Sequence, residues 1–226
     1  MPKIRAAITK GEELRYISHL DYAAAIERAV RRAKLPVAYS EGFNPHMKLA
    51  FASALAVGIT SDAEYVDIEF KEVLSVEAFC QQMHKQLPKG IKILAAKALI
   101  GKQPALMALV DLAVYEATLK FCGDFSKIEQ ALQDFSVADE VTYLRHTPKG
   151  KKEIEVKQYI KNDIQAKLID DVLYFNCEIS VTSQGSIKPG EVFKVLIDQF
   201  ELPIAEDELL INRRGLYVKG KTPLEC

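Results

Sequence analysis

The chain has 226 residues, of which 49% are hydrophobic and 27% are charged, and its formal net charge is -1. This length is sufficient for one large or two small domains with buried cores. A nearly neutral chain can bind nucleic acid only through local basic patches, because it has no overall positive field. No apolar run reaches the ~20 residues that a membrane-spanning helix needs, and the N-terminus lacks the apolar core of a signal peptide. The sequence therefore predicts a cytoplasmic protein.

The first half of the chain predicts the element order β-α-β-β-α-β. Alternating apolar residues and helical periodicity predict strands over 3–9, 48–56, 64–71 and 91–99, and helices over 18–35 and 75–87. Ser18 has the position of an N-cap, with Asp21 as the carboxylate partner of a capping-box-like start. Pro36 ends the helix, because the residue before a proline avoids the α region. The apolar stripe of this helix is Tyr22, Ile26, Ala29, Val30 and Ala33.

The second half repeats this order and adds a hairpin in its middle. The pattern predicts strands over 108–121, 141–144, 153–160, 173–181 and 209–218, and helices over 125–135 and 191–200. Residues 101–104 carry breakers and no periodicity, which is typical of a linker. The sequence therefore predicts an α+β protein of two tandem ferredoxin-like (βαββαβ) domains with antiparallel sheets, residues 1–100 and 105–226.

Two motifs in the first half, SHLD at residues 18–21 and EGFNPH at residues 41–46, resemble the signature of the radical-SAM-linked proteins. This family is described as a domain of unknown function, and its members are fused to a radical-SAM domain or encoded beside one. The motif residues with structural roles are Ser18, Asp21, Gly42, Phe43 and Pro45. The resemblance implies a stand-alone member that works with a radical-SAM enzyme on a separate chain.

The cysteines give no support for a metal site or a bound cofactor in this chain. Cys80, Cys122, Cys177 and Cys226 are scattered, and none forms a CxxC pair or has a histidine at zinc-finger spacing. No CxxxCxxC run is present to hold an iron–sulfur cluster. The sequence thus predicts no cofactor, and radical chemistry would take place on the partner.

Two histidines and a tyrosine in the motif region are candidates for acid–base catalysis: His19, His46 and Tyr16. His19 lies in the first turn of the predicted helix, whose positive end favours a neutral imidazole. His46 follows Pro45, which stiffens the loop, and Gly42 allows a positive φ or a close ligand approach. If the loop returns beside the helix start, the three side chains line one pocket, in which two imidazoles can cleave RNA without a metal.

The same residues also fit a purely structural interpretation. His19 is then a first-turn residue that hydrogen-bonds a neighbouring loop. In the loop, Ser40 and Asn44 satisfy backbone groups, and His46 packs on Phe43. The residue types alone do not decide between a pocket and a structural turn.

Basic residues outside the apolar stripe, together with one loop asparagine, are candidate contacts for phosphates or an acidic partner. They are Arg28, Arg31, Arg32, Lys48, Asn44, Lys151, Lys152, Arg213 and Arg214. Lys151 and Lys152 belong to a basic hairpin tip at residues 145–152, and the last two arginines belong to a predicted turn. A charged run is more often a solvated face, so this alternative stays open.

Two functions follow from these features. One is a non-catalytic accessory or substrate-binding protein that works with a radical-SAM enzyme in the modification or processing of RNA (tRNA or rRNA), with a modified peptide as the alternative substrate. The other is a metal-free RNA-processing enzyme that uses His19 and His46 as acid and base. The predicted pair of ferredoxin-like domains is similar to that of the endoribonucleases that process CRISPR repeat RNA. Fold alone does not choose between them, and the sequence gives no oligomeric state.

Overall fold

A computed structural model describes residues 1–101, 103–148, 150–182 and 185–226. The chain divides into two compact units, one made of residues 1–110 with 215–226 and the other of residues 111–214. The sequence-based boundaries differ in assigning 105–110 and 215–226 to the second domain. Lys102 of the predicted linker lies outside the described residues. The fold is mixed α+β with mostly antiparallel pairing, as predicted at that level. Within the described ranges, none of the helices has the length and apolarity needed to cross a membrane.

Unit 1 contains seven of the helices and strands. They are β1 Lys3–Lys10, α1 His19–Arg32, β2 Leu49–Phe51, β3 Ile59–Glu69, α2 Val76–His84, β4 Ile93–Leu99 and α3 Leu106–Leu109. β1 pairs antiparallel with β3 and with β4, and β2 pairs antiparallel with β3. The strand order is therefore β4-β1-β3-β2. β2 is shorter than predicted and β3 begins earlier, at a polar stretch whose Ser61 pairs with Lys10 of β1.

The first helix begins as the sequence predicts. The Ser18 Oγ accepts a hydrogen bond from the Asp21 backbone N–H at 3.1 Å and donates one to Asp21 Oδ2 at 2.7 Å. This pair satisfies an N–H group that would otherwise lack a partner in the first turn. The predicted stripe is confirmed for its four buried members, which are Tyr22, Ile26, Ala29 and Val30.

The same helix ends before the proline that was expected to stop it. The Lys34 N–H donates to the Arg31 carbonyl at 3.1 Å, and the Leu35 N–H donates to the Val30 carbonyl at 3.4 Å. Lys34 adopts a φ of +52°, the left-handed conformation of a Schellman motif. The backbone turn therefore ends the helix, and a lysine occupies the position that usually holds a glycine.

The other α-helices and strands begin in unit 2. They are β5 Leu112–Lys120, α4 Phe125–Val137, β6 Thr142–Thr147, β7 Gly150–Glu155, β8 Gln165–Ile169, β9 Val172–Ser180, α5 Pro189–Phe200 and β10 Leu210–Tyr217. Its sheet has the order β10-β5-β9-β8, and β6 and β7 form a separate hairpin. The sequence pattern misses β8, because most of its side chains are exposed and do not alternate between apolar and polar.

β10 corrects one sequence-based prediction. Residues 212–215 were expected to form a turn, but the strand continues from Leu210 to Tyr217. A Cβ on Gly215 would lie 2.5 Å from Cε2 of Tyr217. Gly215 is therefore required by the close approach of the tyrosine ring and does not interrupt the strand. The division of the chain falls within β10, so that residues 215–217 belong to unit 1.

Candidate functional site

The EGFNPH motif forms a loop that is closed at its base by Ser40 and His46. Tyr39 and Met47 form an antiparallel bridge just outside this closure. The Ser40 N–H donates to the His46 carbonyl at 2.8 Å, and the His46 N–H donates to Ser40 Oγ at 3.1 Å. The Ser40 hydroxyl also lies 2.9 Å from His46 Nδ1. Three hydrogen bonds thus fix the loop, and Nε2 is the ring nitrogen of His46 that can face a ligand.

The tip of this loop is an exposed aromatic group. Residues 41–45 are exposed, and the relative accessibility of Phe43 is 106%. Gly42 has a φ of +117°, which side-chain-bearing residues rarely adopt, so the turn depends on glycine. The alternative in which His46 packs on Phe43 is wrong, because the phenylalanine ring is fully exposed. The closed loop thus holds a large aromatic ring in solvent.

The start of α1 faces the strand that follows the loop. The His19 ring packs edge-on against Phe51 of β2, with 5.1 Å between the ring centroids. Phe51 lies five residues after His46. The start of α1 therefore packs on the short strand into which the loop leads. Tyr16 precedes the helix and is 75% exposed. Convergence of His19, His46 and Tyr16 on a single pocket stays a prediction.

A buried lysine holds the backbone in front of α1. Lys10 is 1% exposed, and its ammonium donates to the carbonyls of Arg15, Ile17 and Ile59 at 3.1, 3.2 and 3.1 Å. An ammonium is buried in this way only when hydrogen bonds compensate its lost hydration. Lys10 therefore orders the segment that leads into Ser18 and His19. The sequence shows no sign of this role, since Lys10 reads as the polar end of a strand.

A second cation, Arg15, anchors the same segment. Its guanidinium donates to both carboxylate oxygens of Glu12, at 2.9 and 2.6 Å, and to the Gly58 carbonyl at 2.7 Å. The Gly58 N–H donates back to the Arg15 carbonyl at 3.0 Å. The start of β3 and the start of α1 are thus joined by hydrogen bonds to backbone groups, which makes the motif region rigid.

The basic residues of unit 1 divide into exposed and engaged groups. Arg28 and Arg31 are exposed on α1. Arg32 donates from Nη2 to the Gln86 carbonyl at 2.5 Å, which ties α1 to the end of α2. The Lys48 ammonium lies 3.8 Å from Glu69 Oε2, so an acidic neighbour offsets part of its charge. Arg28 and Arg31 are therefore the better candidates for contact with an anionic ligand.

The basic hairpin of unit 2 is formed by β6 and β7. Lys151 and Lys152 are exposed and lie opposite His146 and Arg145 in the strand register. Arg145 itself binds Glu191 of α5 through both carboxylate oxygens, at 2.8 and 2.5 Å. Its role is therefore structural. Lys149 of the predicted basic tip lies outside the described residues.

Arg213 does not extend a basic surface, contrary to the prediction for residues 213–214. It is 4% exposed, and its guanidinium donates to Tyr115 Oη at 2.9 and 3.2 Å. The guanidinium also lies 5.4 Å from the centroid of the Tyr115 ring, a cation–π distance. Because β10 alternates sides, Arg214 is exposed while its neighbour is buried. The error arose from reading a strand as a turn.

Potential metal ligands are dispersed in the described part of the chain. Within it, no group of three or more His, Cys, Asp or Glu side chains is placed to hold a metal ion. Burial raises the pKa of the Cys177 thiol to about 12, so this side chain is a packed apolar group and not a thiolate ligand.

The architecture is that of a mixed α+β protein with mostly antiparallel sheets. The chain belongs to the family described as "Uncharacterized protein conserved in bacteria (DUF2344)", whose model matches residues 3–189. This agrees with the predicted membership of a family of unknown function, and a radical-SAM link stays a proposal. No curated protein matches the chain.

One similar solved structure is titled "Crystal Structure of a Cbf5-Nop10-Gar1 Complex". The identity is 11%, and the match covers 92% of this chain and 47% of that chain with a TM-score of 0.48. The chain thus spans less than half the length of this neighbour. A similarity of this size carries no functional argument.

Proposed function

We propose that this protein is a non-catalytic accessory protein that binds an RNA substrate for a radical-SAM enzyme on a separate chain. The observation that carries the proposal is the fully exposed Phe43 at the tip of a loop closed by Ser40 and His46. The loop is ordered before a ligand arrives, so binding does not have to meet the entropic cost of ordering it.

The chemistry of this surface suits unpaired nucleotides. Exposed aromatic rings stack on the bases of single-stranded RNA, and such stacking tolerates many sequences. Arg28 and Arg31, exposed on the helix that precedes the loop, offer guanidinium groups for phosphates. The net charge of -1 means that the affinity has to come from such local contacts.

We also propose that both units are ferredoxin-like domains, as the sequence pattern predicts. The support is the strand order, which is β4-β1-β3-β2 in unit 1 and β10-β5-β9-β8 in unit 2. In each unit the strands correspond to the fourth, first, third and second of a β-α-β-β-α-β unit when the β6–β7 hairpin is set aside.

RNA binding is tested with the full chain and a labelled single-stranded RNA, by fluorescence anisotropy. Phe43→Ala is expected to weaken binding about tenfold, the effect of losing one stacked base. Val73→Ala is a matched control, because Val73 is also exposed, at 86%, and lies outside the loop. Equal affinities of the Phe43→Ala and wild-type proteins would contradict the role of the loop.

The electrostatic part is tested with Arg31→Glu against Lys127→Glu, an exposed lysine on α4. The α1 variant is expected to bind RNA more weakly and to reduce the salt dependence of binding, whereas the α4 variant is not. The partner is tested by identifying the proteins that co-purify with the tagged chain, with and without RNA, and a radical-SAM enzyme is expected among them. Failure to co-purify in both conditions would remove the enzyme from the proposal.

The alternative is a metal-free RNA-processing enzyme in which His19 and His46 act as acid and base, with Tyr16 beside them. It is favoured by the fixed His46 ring and by the packing of His19 on Phe51 of β2, five residues after His46 in the chain. The test is cleavage of cellular RNA in the presence of a chelator. Cleavage by the wild type that is lost in His19→Ala/His46→Ala supports the RNA-processing enzyme. Equal cleavage by the double variant rules out His19 and His46 as its acid and base.

A further inference from the structure

The sheet of unit 2 has a face that its helices leave uncovered. Phe175 of β9 packs on Phe193 of α5, with 5.2 Å between the ring centroids. The alternate residues of the same strand, Tyr174 and Asn176, lie on the opposite face because side chains alternate along a strand. Asn176 is exposed and Tyr174 is half-buried. This second face is therefore open to a ligand.

The open face carries a groove of about 750 Å³ with a mixed polar and aromatic lining. The strand register places Lys167 of β8 opposite Tyr174 of β9, and Gln165 opposite Asn176. Side chains opposite each other on antiparallel strands are close neighbours. The floor of the groove is thus an aromatic ring beside a cation, followed by a pair of amide side chains.

The charge of this lining favours an anionic ligand. Lys167 and Arg214 supply two positive charges, and Glu116 supplies one negative charge. The two amides at Gln165 and Asn176 offer both donors and acceptors. An apolar protein partner would leave these amides and charges buried without hydrogen-bond partners, which costs free energy.

The equivalent face of unit 1 is covered by the chain itself. Arg5 of β1 donates from Nη1 to the Pro223 carbonyl at 2.8 Å, and Lys97 of β4 donates to the Leu224 carbonyl at 3.0 Å. The segment 218–226 therefore lies over that sheet. The two units have the same strand order but differ in whether the helix-free face of the sheet is covered. Among the described residues, only the face in unit 2 presents its central strands to solvent.

We infer that the open face of unit 2 binds single-stranded nucleic acid, with Tyr174 stacking on a base, the amides of Gln165 and Asn176 contacting base edges, and Lys167 and Arg214 contacting phosphates. Stacking on an aromatic residue of a four-stranded sheet is a known physical solution for single-stranded RNA. The choice of RNA rests on the proposed function. The residues of this site belong to unit 2, and those of the Phe43 loop belong to unit 1.

The test uses the full chain and a labelled RNA of roughly 12 nucleotides, within the usual range of site sizes. Tyr174→Leu keeps an apolar side chain but removes the ring, and it is expected to weaken binding about tenfold. Lys167→Gln is expected to lower the salt dependence by about one released counterion. Lys127→Gln on α4, on the helical side of the same unit, is the matched control. Urea unfolding of each variant verifies that the fold is retained.

The outcomes separate this inference from the proposed function. Binding that is weakened by Tyr174→Leu but not by Phe43→Ala supports the open face and overturns the loop as the contact surface. Binding that is weakened by Phe43→Ala but not by Tyr174→Leu or Lys167→Gln overturns the inference and leaves the proposed function intact. Absence of RNA binding overturns both. Equal affinity for DNA of the same sequence, lost in Tyr174→Leu, supports the open face and overturns the choice of RNA.

Discussion

Arg5 and Asp67 form a fully buried, bidentate ion pair between neighbouring strands of unit 1. The Arg5 Nε donates to Asp67 Oδ1 at 2.7 Å, and Nη2 donates to Oδ2 at 3.0 Å. The two side chains are 1% and 2% exposed. The guanidinium also donates to the Pro223 carbonyl, so that strands β1 and β3 and the C-terminal segment share one cation. Each partner is stable in this environment only because the other is present.

Removal of either partner is expected to destabilise the fold strongly. Arg5→Met or Asp67→Asn leaves an uncompensated buried group and should lower the free energy of unfolding by about 3–5 kcal/mol. The double variant Arg5→Met/Asp67→Asn should lose less than the sum of the single losses, because it leaves no isolated charge. Urea unfolding of the four proteins measures the coupling energy. Additive losses would show that the pair does not act as a unit.

Lys10→Met is expected to loosen the segment in front of α1. The variant keeps the aliphatic stem but removes the ammonium from the carbonyls of Arg15, Ile17 and Ile59. The expected loss is about 2–4 kcal/mol, since hydrogen bonds to charged groups contribute more than neutral ones. Hydrogen exchange should rise first at residues 15–18. Unchanged protection of these amides would contradict a positioning role for Lys10.

Lys34→Gly is expected to stabilise the protein by about 0.5–1 kcal/mol. Lys34 has a φ of +52°, a conformation that costs side-chain-bearing residues free energy and costs glycine little. Thermal unfolding measures the gain. Lys34→Val, which has a branched Cβ, should instead lower the midpoint of thermal unfolding. A higher midpoint for Lys34→Val than for Lys34→Gly would show that the backbone is not strained at this residue.

Ser40→Ala is expected to weaken ligand binding without lowering global stability. It removes the hydroxyl that contacts Nδ1 and the backbone N–H of His46, but leaves the bond from the Ser40 N–H to the His46 carbonyl. The loop should then be less ordered, and the ordering cost should appear as an affinity several-fold lower. Comparison with Ser75→Ala, which removes the N-cap of α2, controls for the loss of a hydroxyl. An unchanged affinity would show that loop order does not matter for binding.

The cysteines are expected to differ sharply in reactivity. Cys122 and Cys226 are exposed and should react with a thiol reagent in the native protein, whereas Cys177 is buried and should react only after unfolding. Labelling followed by peptide mass spectrometry distinguishes them. Labelling of Cys177 at the same rate as Cys122 would contradict its burial.

The same thiol makes stability depend on alkaline pH. Burial raises the pKa of Cys177 to about 12 in the folded protein, above the value of about 8.5 for an unfolded chain. The unfolded chain therefore loses this proton first, so the contribution of the thiol is complete below about pH 8.5 and is lost as the pH rises toward 12. Urea unfolding across this range should show a smaller decline for Cys177→Ala than for the wild type.

Local sequence rules predicted α1 well. The cap depends on Ser18 and Asp21, and the buried stripe depends on helical spacing, so both follow from residues close together in the chain. The loop was also predictable from the sequence, because Pro45 fixes its own φ and Gly42 permits the positive φ that the turn adopts. The exposure of Phe43 was not predictable, since it depends on how far the closed loop projects from the sheet.

Features that depend on distant residues were missed. Lysine and arginine are usually surface residues, so the sequence offered no reason to expect Lys10 and Arg213 to be buried. Lys10 is buried against the Ile59 carbonyl, and Arg213 is buried against Tyr115. β8 was missed because an exposed edge strand has no amphipathic pattern to detect. For Lys10 and Arg213 a determining partner, Ile59 or Tyr115, is remote in sequence, so the local pattern contains no information about it.

The hydrogen bond from Arg5 to Pro223 joins residues 218 positions apart, and it affects the order of folding during synthesis. Unit 2 is continuous in sequence and can close as soon as residues 111–214 have left the ribosome. Unit 1 is made first, yet it needs residues 215–226 to cover the Arg5–Asp67 pair. We therefore expect the nascent chain to fold its second unit before its first is complete, an exception to the usual N-terminal-first order.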